Sequence, residues 1–369
     1  MTLIKSISGI RGTIGGKPGE NLTPIDAVKF ASAYGTFIKN QRNKETHRVV
    51  VGRDARLSGE MLQQLVMQTL VGMGIDVIDL DLSTTPTVEV AVKLEHADGG
   101  IILTASHNPK QWNALKLLDS NGEFLNAEAG AEILKLSESA DLEYVDVDYL
   151  GEIHKNDAYI DIHIDEVLDL ELVDEEAIKA ANFKIVVDGV NSTGGIAIPL
   201  LLDRLGVHTV KLYCDPNGHF PHNPEPLKEH LGDICALVKE ETADLGIVVD
   251  PDVDRLAFID ETGEMFGEEY TLVACADYVL SEKSGDTVSN LSSSRALRDI
   301  TEKHGGSYHA AAVGEVNVVK KMKEVGAVIG GEGNGGIIYP ESHYGRDALV
   351  GVALFLTHLA KKKIKLDIL

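Results

Sequence analysis

A chain of 369 residues and 39.8 kDa is too long for one compact core, so about two to four domains are expected. With 34 Lys and Arg against 58 Asp and Glu, the formal net charge of −24 argues against nucleic acid or an anionic membrane as the main partner. An apolar content of 44% excludes a disordered chain, and no run approaches the roughly 18 apolar residues of a membrane helix.

Met1 to Lys5 lacks the long apolar region of a secretory signal. The three cysteines, Cys214, Cys235 and Cys275, form no Cys-x-x-Cys and read as reduced, mostly buried thiols of a cytoplasmic protein. Strand-like and helix-like segments alternate almost throughout, which predicts α/β architecture with largely parallel sheets. Thr23-Pro24 opens a helix whose apolar face carries Ala27, Phe30, Ala31, Tyr34, Phe37 and Ile38. Val49 to Val51 is a buried strand. Ser58 is expected to cap the next helix, with Met61, Leu62, Leu65, Val66 and Leu70 as its stripe. Gly99 to Leu103 is a strand, followed by the turn Ser106-His107-Asn108-Pro109. From Ser120 to Glu176, 18 acidic residues stand against Lys135 and Lys155, a net of −16 that reads as a solvated helical face bridging two domains.

The pattern then restarts. Lys184 to Val187 reads as a strand, Gly189 to Gly195 as a turn, Ile196 to Leu205 as a helix and Leu245 to Val249 as a strand. A third cycle has helices over Glu268 to Leu280 and Arg295 to His304, with a strand near Thr287 between them. A strand over Ala327 to Ile329 ends in a glycine-rich stretch, and a last helix runs from Asp347 to Lys362. These cycles predict three α/β units of similar size, residues 1–150, 151–260 and 261–369. Each offers one notable loop beyond the carboxyl end of a strand, where ligands of open α/β sheets collect.

Asp250-Pro251-Asp252-Val253-Asp254-Arg255 places three carboxylates at alternate positions between two apolar runs. Charges so close repel unless a cation joins them, and an oxygen-only donor set suits Mg²⁺. A calcium EF-hand fails, because Arg255 stands where that loop requires glycine and both flanks read as strand. Thr104-Ala105-Ser106-His107-Asn108-Pro109 offers a serine beside a histidine, with Lys116 further on. The Gly-x-Ser-x-Gly elbow of hydrolases is absent. Gly331-Glu332-Gly333-Asn334-Gly335-Gly336 has the letters of a dinucleotide fingerprint. That reading requires a helix after Gly336, where the sequence looks extended, so a loop offering Glu332 and Asn334 to a polyhydroxy ligand fits better. Arginines complete the inventory: Arg11 in Ser8-Gly9-Ile10-Arg11-Gly12, and Arg53 and Arg56 around Asp54, with Arg53 the expected partner of Asp54.

Together these motifs resemble the α-D-phosphohexomutase family, whose Ser-Gly-Ile-Arg-Gly, Thr-Ala-Ser-His-Asn-Pro, Asp-Pro-Asp-Val-Asp-Arg and Gly-Glu-Gly-Asn-Gly-Gly signatures follow in order over essentially the whole chain. The resemblance implies consecutive α/β domains around a central cleft. It implies exchange of hexose 6-phosphate and hexose 1-phosphate through a phosphoserine and a hexose 1,6-bisphosphate. By motif, Ser106 would carry the phosphoryl group, and Asp250, Asp252 and Asp254 would hold Mg²⁺ together with it. Lys116, His107 and Arg11 would serve proton transfer and phosphate contact, and Arg255 would adjoin the metal. Glu332 and Asn334 would bind sugar hydroxyls, and Gly314 and Glu315 would belong to the loop that distinguishes one hexose from another. Glu315 favours phosphoglucosamine, through an ion pair with a 2-ammonium group, over phosphomannose or phosphoglucose. The sugar loop departs from the frequent Gly-Glu-x-Ser-Gly-His. The family's fourth domain, with its phosphate loop, has no counterpart among these residues, so weakened turnover is expected, and a sugar-phosphate binding module is the alternative.

Overall fold

The computed structural model describes residues 1–6, 9–41, 44–139, 142–364 and 366; Ser8 of the first motif lies outside them. Two compact units emerge, residues 1–160 with 217–219, and residues 161–216 with 220–369.

In the first unit the elements are β1 (Ile4–Ser6), β2 (Gly9–Thr13), α1 (Pro24–Gln41), β3 (His47–Arg53), α2 (Gly59–Gly72), β4 (Ile75–Leu82), α3 (Thr85–Leu94), β5 (Gly99–Leu103), β6 (Trp112–Leu118), α4 (Ala127–Ser137) and β7 (Ile153–Lys155). They form one seven-stranded sheet in the order β1-β2-β6-β5-β3-β4-β7. β5, β3, β4 and β7 run parallel, whereas β6, β2 and β1 join antiparallel. Thr23 and Asp26 cap α1 reciprocally: the Thr23 N–H donates to Asp26 Oδ2 (3.0 Å), and the Asp26 N–H to Thr23 Oγ1 (3.5 Å). The predicted face of α1 packs with Leu62, Val66 and Leu70 of α2 on Val49, Val51, Ile101 and Leu103.

Three expectations need correction here. Ser58 makes no capping bond; its Oγ instead accepts from Asn113 Nδ2 (2.9 Å). On α2, Met61 is exposed while Gln63 and Met67 are buried, because the buried stripe is rotated toward the sheet. The acidic segment is no single helical face. Ile153–Lys155 inside it pairs with β4 and extends the sheet, since strand pairing satisfies backbone groups whatever the side-chain charge.

α5 (Tyr159–Leu168) begins at the end of the first unit. The second unit continues with α6 (Glu175–Ala181), β8 (Lys184–Asp188), α7 (Gly194–Arg204), β9 (His208–Leu212), α8 (Gly232–Glu240), β10 (Leu245–Val249) and β11 (Leu256–Ile259). Then come α9 (Glu268–Glu282), β12 (Thr287–Asn290), α10 (Ala296–Lys303), β13 (Tyr308–Ala311), α11 (Glu315–Val325), β14 (Ile329–Glu332), β15 (Gly336–Ile338) and α12 (Ala348–Lys362). Two four-stranded sheets result, ordered β11-β10-β8-β9 and β13-β12-β14-β15, each with one antiparallel edge strand. The three sheets are therefore mixed and unequal, the first being the larger.

α7 starts two residues before its predicted position, at the glycines: a Cβ on Gly195 would lie 2.5 Å from the Cys214 carbonyl oxygen. β14 runs on through Gly330, Gly331 and Glu332, and the chain turns back into β15. A strand, not a helix, follows Gly336, which removes the dinucleotide reading. Of the cysteines only Cys275 is fully buried; all three are free thiols. Among the described residues no helix is long and apolar enough to cross a membrane.

Candidate active site

In the first unit the site grows from the end of β5. Ser106 adopts φ +47°, a left-handed conformation that costs a serine about 1 kcal/mol or more, and its side chain is nearly buried. A chain of bonds enforces it. The Ser106 N–H donates to Thr104 Oγ1 (2.9 Å), and the Thr104 hydroxyl donates to Asp54 Oδ2 (2.7 Å). Asp54 also accepts from Arg56 Nε (2.9 Å) and the Arg56 N–H (2.9 Å). The guanidinium of Arg56, wholly buried, then gathers the loop's carbonyls: Ser106, Asn108 (2.6 Å), Pro109 (2.8 Å) and Trp112 (2.9 Å). The expected Arg53–Asp54 ion pair does not form. Arg53 pairs with Asp81 (2.7 Å), because Asp54 turns toward Arg56.

His107 Nδ1 lies 3.4 Å from Ser106 Oγ. Lys116 is on β6 opposite Ile102, and Arg11 on β2 opposite Ala114. Strand alternation puts Arg11 and Lys116 on one face of the sheet, away from the core face of Ile10 and Leu115. The Lys116 ammonium stands 5.4 Å over the Phe124 ring. Gly9 permits the approach of β2 to β6: at its φ of +124°, a Cβ would sit 2.3 Å from the Leu115 carbonyl oxygen.

In the second unit, Asp250, Asp252 and Asp254 leave the end of β10, all buried, each offering an oxygen within 4.8 Å of the others. Val253, between them, takes φ +63° with its side chain fully buried. Asp250 Oδ1 accepts the N–H groups of Asp254 (3.2 Å) and Arg255 (3.1 Å), closing the turn. Ser192 and Thr193 donate to the Pro251 carbonyl (2.7 and 2.8 Å). Three hard carboxylates this close together suit a Mg²⁺ ion, and without a cation their burial is costly. Arg255 turns to Glu225 (3.1 Å).

The glycine-rich loop is the three-residue tip of the β14–β15 hairpin. Gly335, at φ +85°, lets the tip touch the acidic turn: the Leu256 N–H donates to its carbonyl (3.1 Å), and a Cβ there would meet the Leu256 carbonyl oxygen at 2.2 Å. Glu332, nearly buried, accepts from Asn290 Nδ2 (2.7 Å) and the Gly314 N–H (3.2 Å). Asn334 Oδ1 accepts the Gly336 N–H (3.3 Å). Arg255, Asn334, Glu225, Glu268, Glu269 and Ser292 help line a cavity of about 220 Å³.

Sequence reasoning missed Arg346. Its Nη2 donates to Asp254 (2.7 Å), its Nε to Glu315 (2.9 Å), and its Nη1 lies 3.1 Å from Glu332. Burial opposes its charge, but Asp254, Glu315, Glu332 and Asp250 more than offset that and hold its pKa well above the ordinary value. Glu315, expected to await a 2-ammonium group, is thus ion-paired within the protein. The next residue, Asp347, caps α12 through the N–H groups of Leu349 (2.8 Å) and Val350 (3.3 Å). Its Oδ2 meets His163 (2.9 Å) and His343 (3.1 Å). Nothing in local sequence pairs Arg346 with residues so distant; only the start of the last helix near Asp347 was readable.

The comparisons with known proteins follow the same order along the chain. Models of phosphoglucomutase/phosphomannomutase α/β/α domains I, II and III match residues 3–143, 159–263 and 267–369. A Thermococcus kodakarensis protein named "Phosphoglucomutase/phosphomannomutase" is 39% identical over 354 residues, covering 95% of this chain and 77% of its own. A Methanopyrus kandleri protein named "Probable phosphoglucosamine mutase" is 34% identical, covering 96% and 75%. A phosphoglucomutase/phosphomannomutase family structure from Burkholderia thailandensis superposes with a TM-score of 0.84 at 28% identity, covering 98% of this chain and 78% of that one.

Proposed function

The chain belongs to the phosphoglucomutase/phosphomannomutase family of phosphohexomutases, which are isomerases, and from that premise we propose that it interconverts hexose 6-phosphate and hexose 1-phosphate through a phosphoserine at Ser106. The observation that carries this reading is the loop itself. A strained serine beyond the end of a parallel strand, fixed by a buried arginine that binds Asp54 and the backbone carbonyls of the loop, is a hydroxyl held ready for group transfer.

Asp250, Asp252 and Asp254 would hold Mg²⁺, which when bound offsets phosphoryl charge during transfer. The phosphoryl group passes from Ser106 to the free hydroxyl of the sugar phosphate, giving a hexose 1,6-bisphosphate, and the other phosphate returns to Ser106. His107, at 3.4 Å, and Lys116 handle the proton of the accepting hydroxyl, and Arg11 contacts phosphate. Arg255 helps hold the acidic turn, and Glu332, Asn334 and the Gly314–Glu315 loop meet the sugar. The ion pair of Glu315 removes the reason to prefer an amino sugar, so mannose and glucose phosphates come first. Phosphoglucosamine is the second reading, favoured by the name of the Methanopyrus relative. A cytoplasmic location accords with this chemistry and with the free cysteines.

Intact mass before and after phosphatase, on wild type and Ser106→Ala, tests the assignment. One phosphate on wild type alone is expected; equal phosphate on both proteins refutes the role of Ser106.

A further inference from the structure

We propose that Arg346 is a positioning residue that locks the sugar-binding hairpin to the metal-binding turn, an inference resting on the roles given above to Asp254 and Glu332. Each of its three side-chain nitrogens meets a different carboxylate: Nε meets Glu315, Nη1 meets Glu332 and Nη2 meets Asp254. All four side chains are at most 9% exposed, so solvent cannot take over any of these contacts.

The base of the fork is equally fixed. The Arg346 N–H donates to Glu315 (3.3 Å), Asp347 is tied to the start of α12 and to two histidines, and the Ala348 N–H donates to the Val253 carbonyl (3.2 Å). The Leu256–Gly335 bond closes the ring from the other side. Turn, hairpin and helix start therefore move as one body, with Arg346 at the centre.

Charge decides what the arginine does there. Asp250, Asp252, Asp254, Glu315 and Glu332 bring five carboxylates into this region, of which a divalent ion offsets two charges. Without the Arg346 cation, the buried Glu332 would keep only neutral donors, Asn290 Nδ2 and the Gly314 N–H, beside a second buried carboxylate, Glu315. Arginine is the one side chain that can neutralise them while spanning three acceptors in a plane. A lysine ammonium is a single point that cannot reach all three. The contact with Asp254 is made through Oδ2 and sets a positive charge beside the acidic turn, which opposes a metal ion there while fixing the hairpin.

Arg346→Lys and Arg346→Gln in the full chain test this, read by Mn²⁺ titration of the metal-free protein, by turnover and by melting temperature. The expected result is turnover lowered about 10²-fold, with Mn²⁺ bound as tightly as in wild type by the lysine variant and at least as tightly by the glutamine variant, which lacks the positive charge beside Asp254. Should the glutamine variant fail to fold, the lysine variant, which keeps the charge, carries the same reading. In a double-mutant cycle with Glu332→Gln, the combined loss is expected to fall at least about fivefold short of the product of the single losses. Wild-type turnover in Arg346→Lys, Mn²⁺ affinity falling together with turnover and melting temperature, or independent losses in the cycle would each overturn the proposal. Absence of turnover or of Mn²⁺ binding in the wild type would instead refute the functional reading on which it rests.

Discussion

The serine loop and the acidic turn solve one problem with opposite chemistry. Each leaves the carboxyl end of a parallel strand, forces a non-glycine residue into the left-handed region, and is held by a buried arginine. Arg56 gives most of its donors to backbone carbonyls, so it fixes a shape. Arg346 gives its side-chain donors to carboxylates, so it also fixes a charge. Where the loop presents a neutral hydroxyl, one carboxylate, Asp54, and a set of neutral carbonyls suffice. Where it presents several anions, the arginine must be part of the electrostatics.

The sharpest way to break the comparison is to remove the presented groups. Ser106→Ala and Asp252→Asn should each lower turnover by at least about 10³-fold. Mn²⁺ titration should separate them: Ser106→Ala gives up at most the share of affinity owed to the phosphoserine, and Asp252→Asn loses the binding itself. Equal metal binding in both would deny the acidic turn its role.

Arg56→Met comes next. It leaves Asp54 buried without its cation and the loop carbonyls without donors, an expected loss of about 3–5 kcal/mol in the first unit. Denaturant unfolding should register this loss while Mn²⁺ affinity is unchanged; a neutral effect on stability would show that Arg56 does not hold the loop.

Glycine substitutions should sharpen the contrast through their signs. Ser106→Gly relieves left-handed strain and gives up only a small, polar side chain, so the protein should gain about 1 kcal/mol while losing activity. At Val253→Gly the lost burial outweighs the relief, and a net loss of about 1 kcal/mol is expected. Gains at both positions, measured by denaturant midpoint, would mean that burial is not what holds Val253.

The smallest effect is in pH. Burial first, and Lys362 second, push His358 down to about 4, so between the ordinary imidazole range and that value the unfolded chain binds a proton that the folded chain refuses. Stability is therefore lost as pH falls from about 6.5 toward 4. Asp277 is also buried, which alone would raise it, but His304 and Lys362 outweigh that and hold it at about 2; its stabilising share is lost only below the ordinary carboxylate range. Melting temperature should fall by a few degrees between pH 7 and 4.5, and His358→Gln should flatten the slope. An unchanged slope would place the acid sensitivity elsewhere.

Much of the fold was legible because its cause is local. The Thr23-Pro24 start, the apolar run before Asp250 and the last helix after Asp347 each declare themselves within a few residues. The candidate site was legible where its residues are contiguous, as in Asp250–Asp254 and Thr104–Pro109. Misreadings arose where a neighbour in sequence was taken for a neighbour in space. Asp54 bypasses Arg53 for Arg56, and Ser58 bonds Asn113 instead of the helix it precedes.

By itself the sequence determined the alternation of strands and helices, the order of the loops and the donor types each loop offers, since these follow from side-chain chemistry and short-range backbone preference. Only the tertiary structure decided which charges meet. Arg346 finds Asp254 ninety-two residues away, and burial there makes each ion pair a choice among partners that no spacing along the chain can encode.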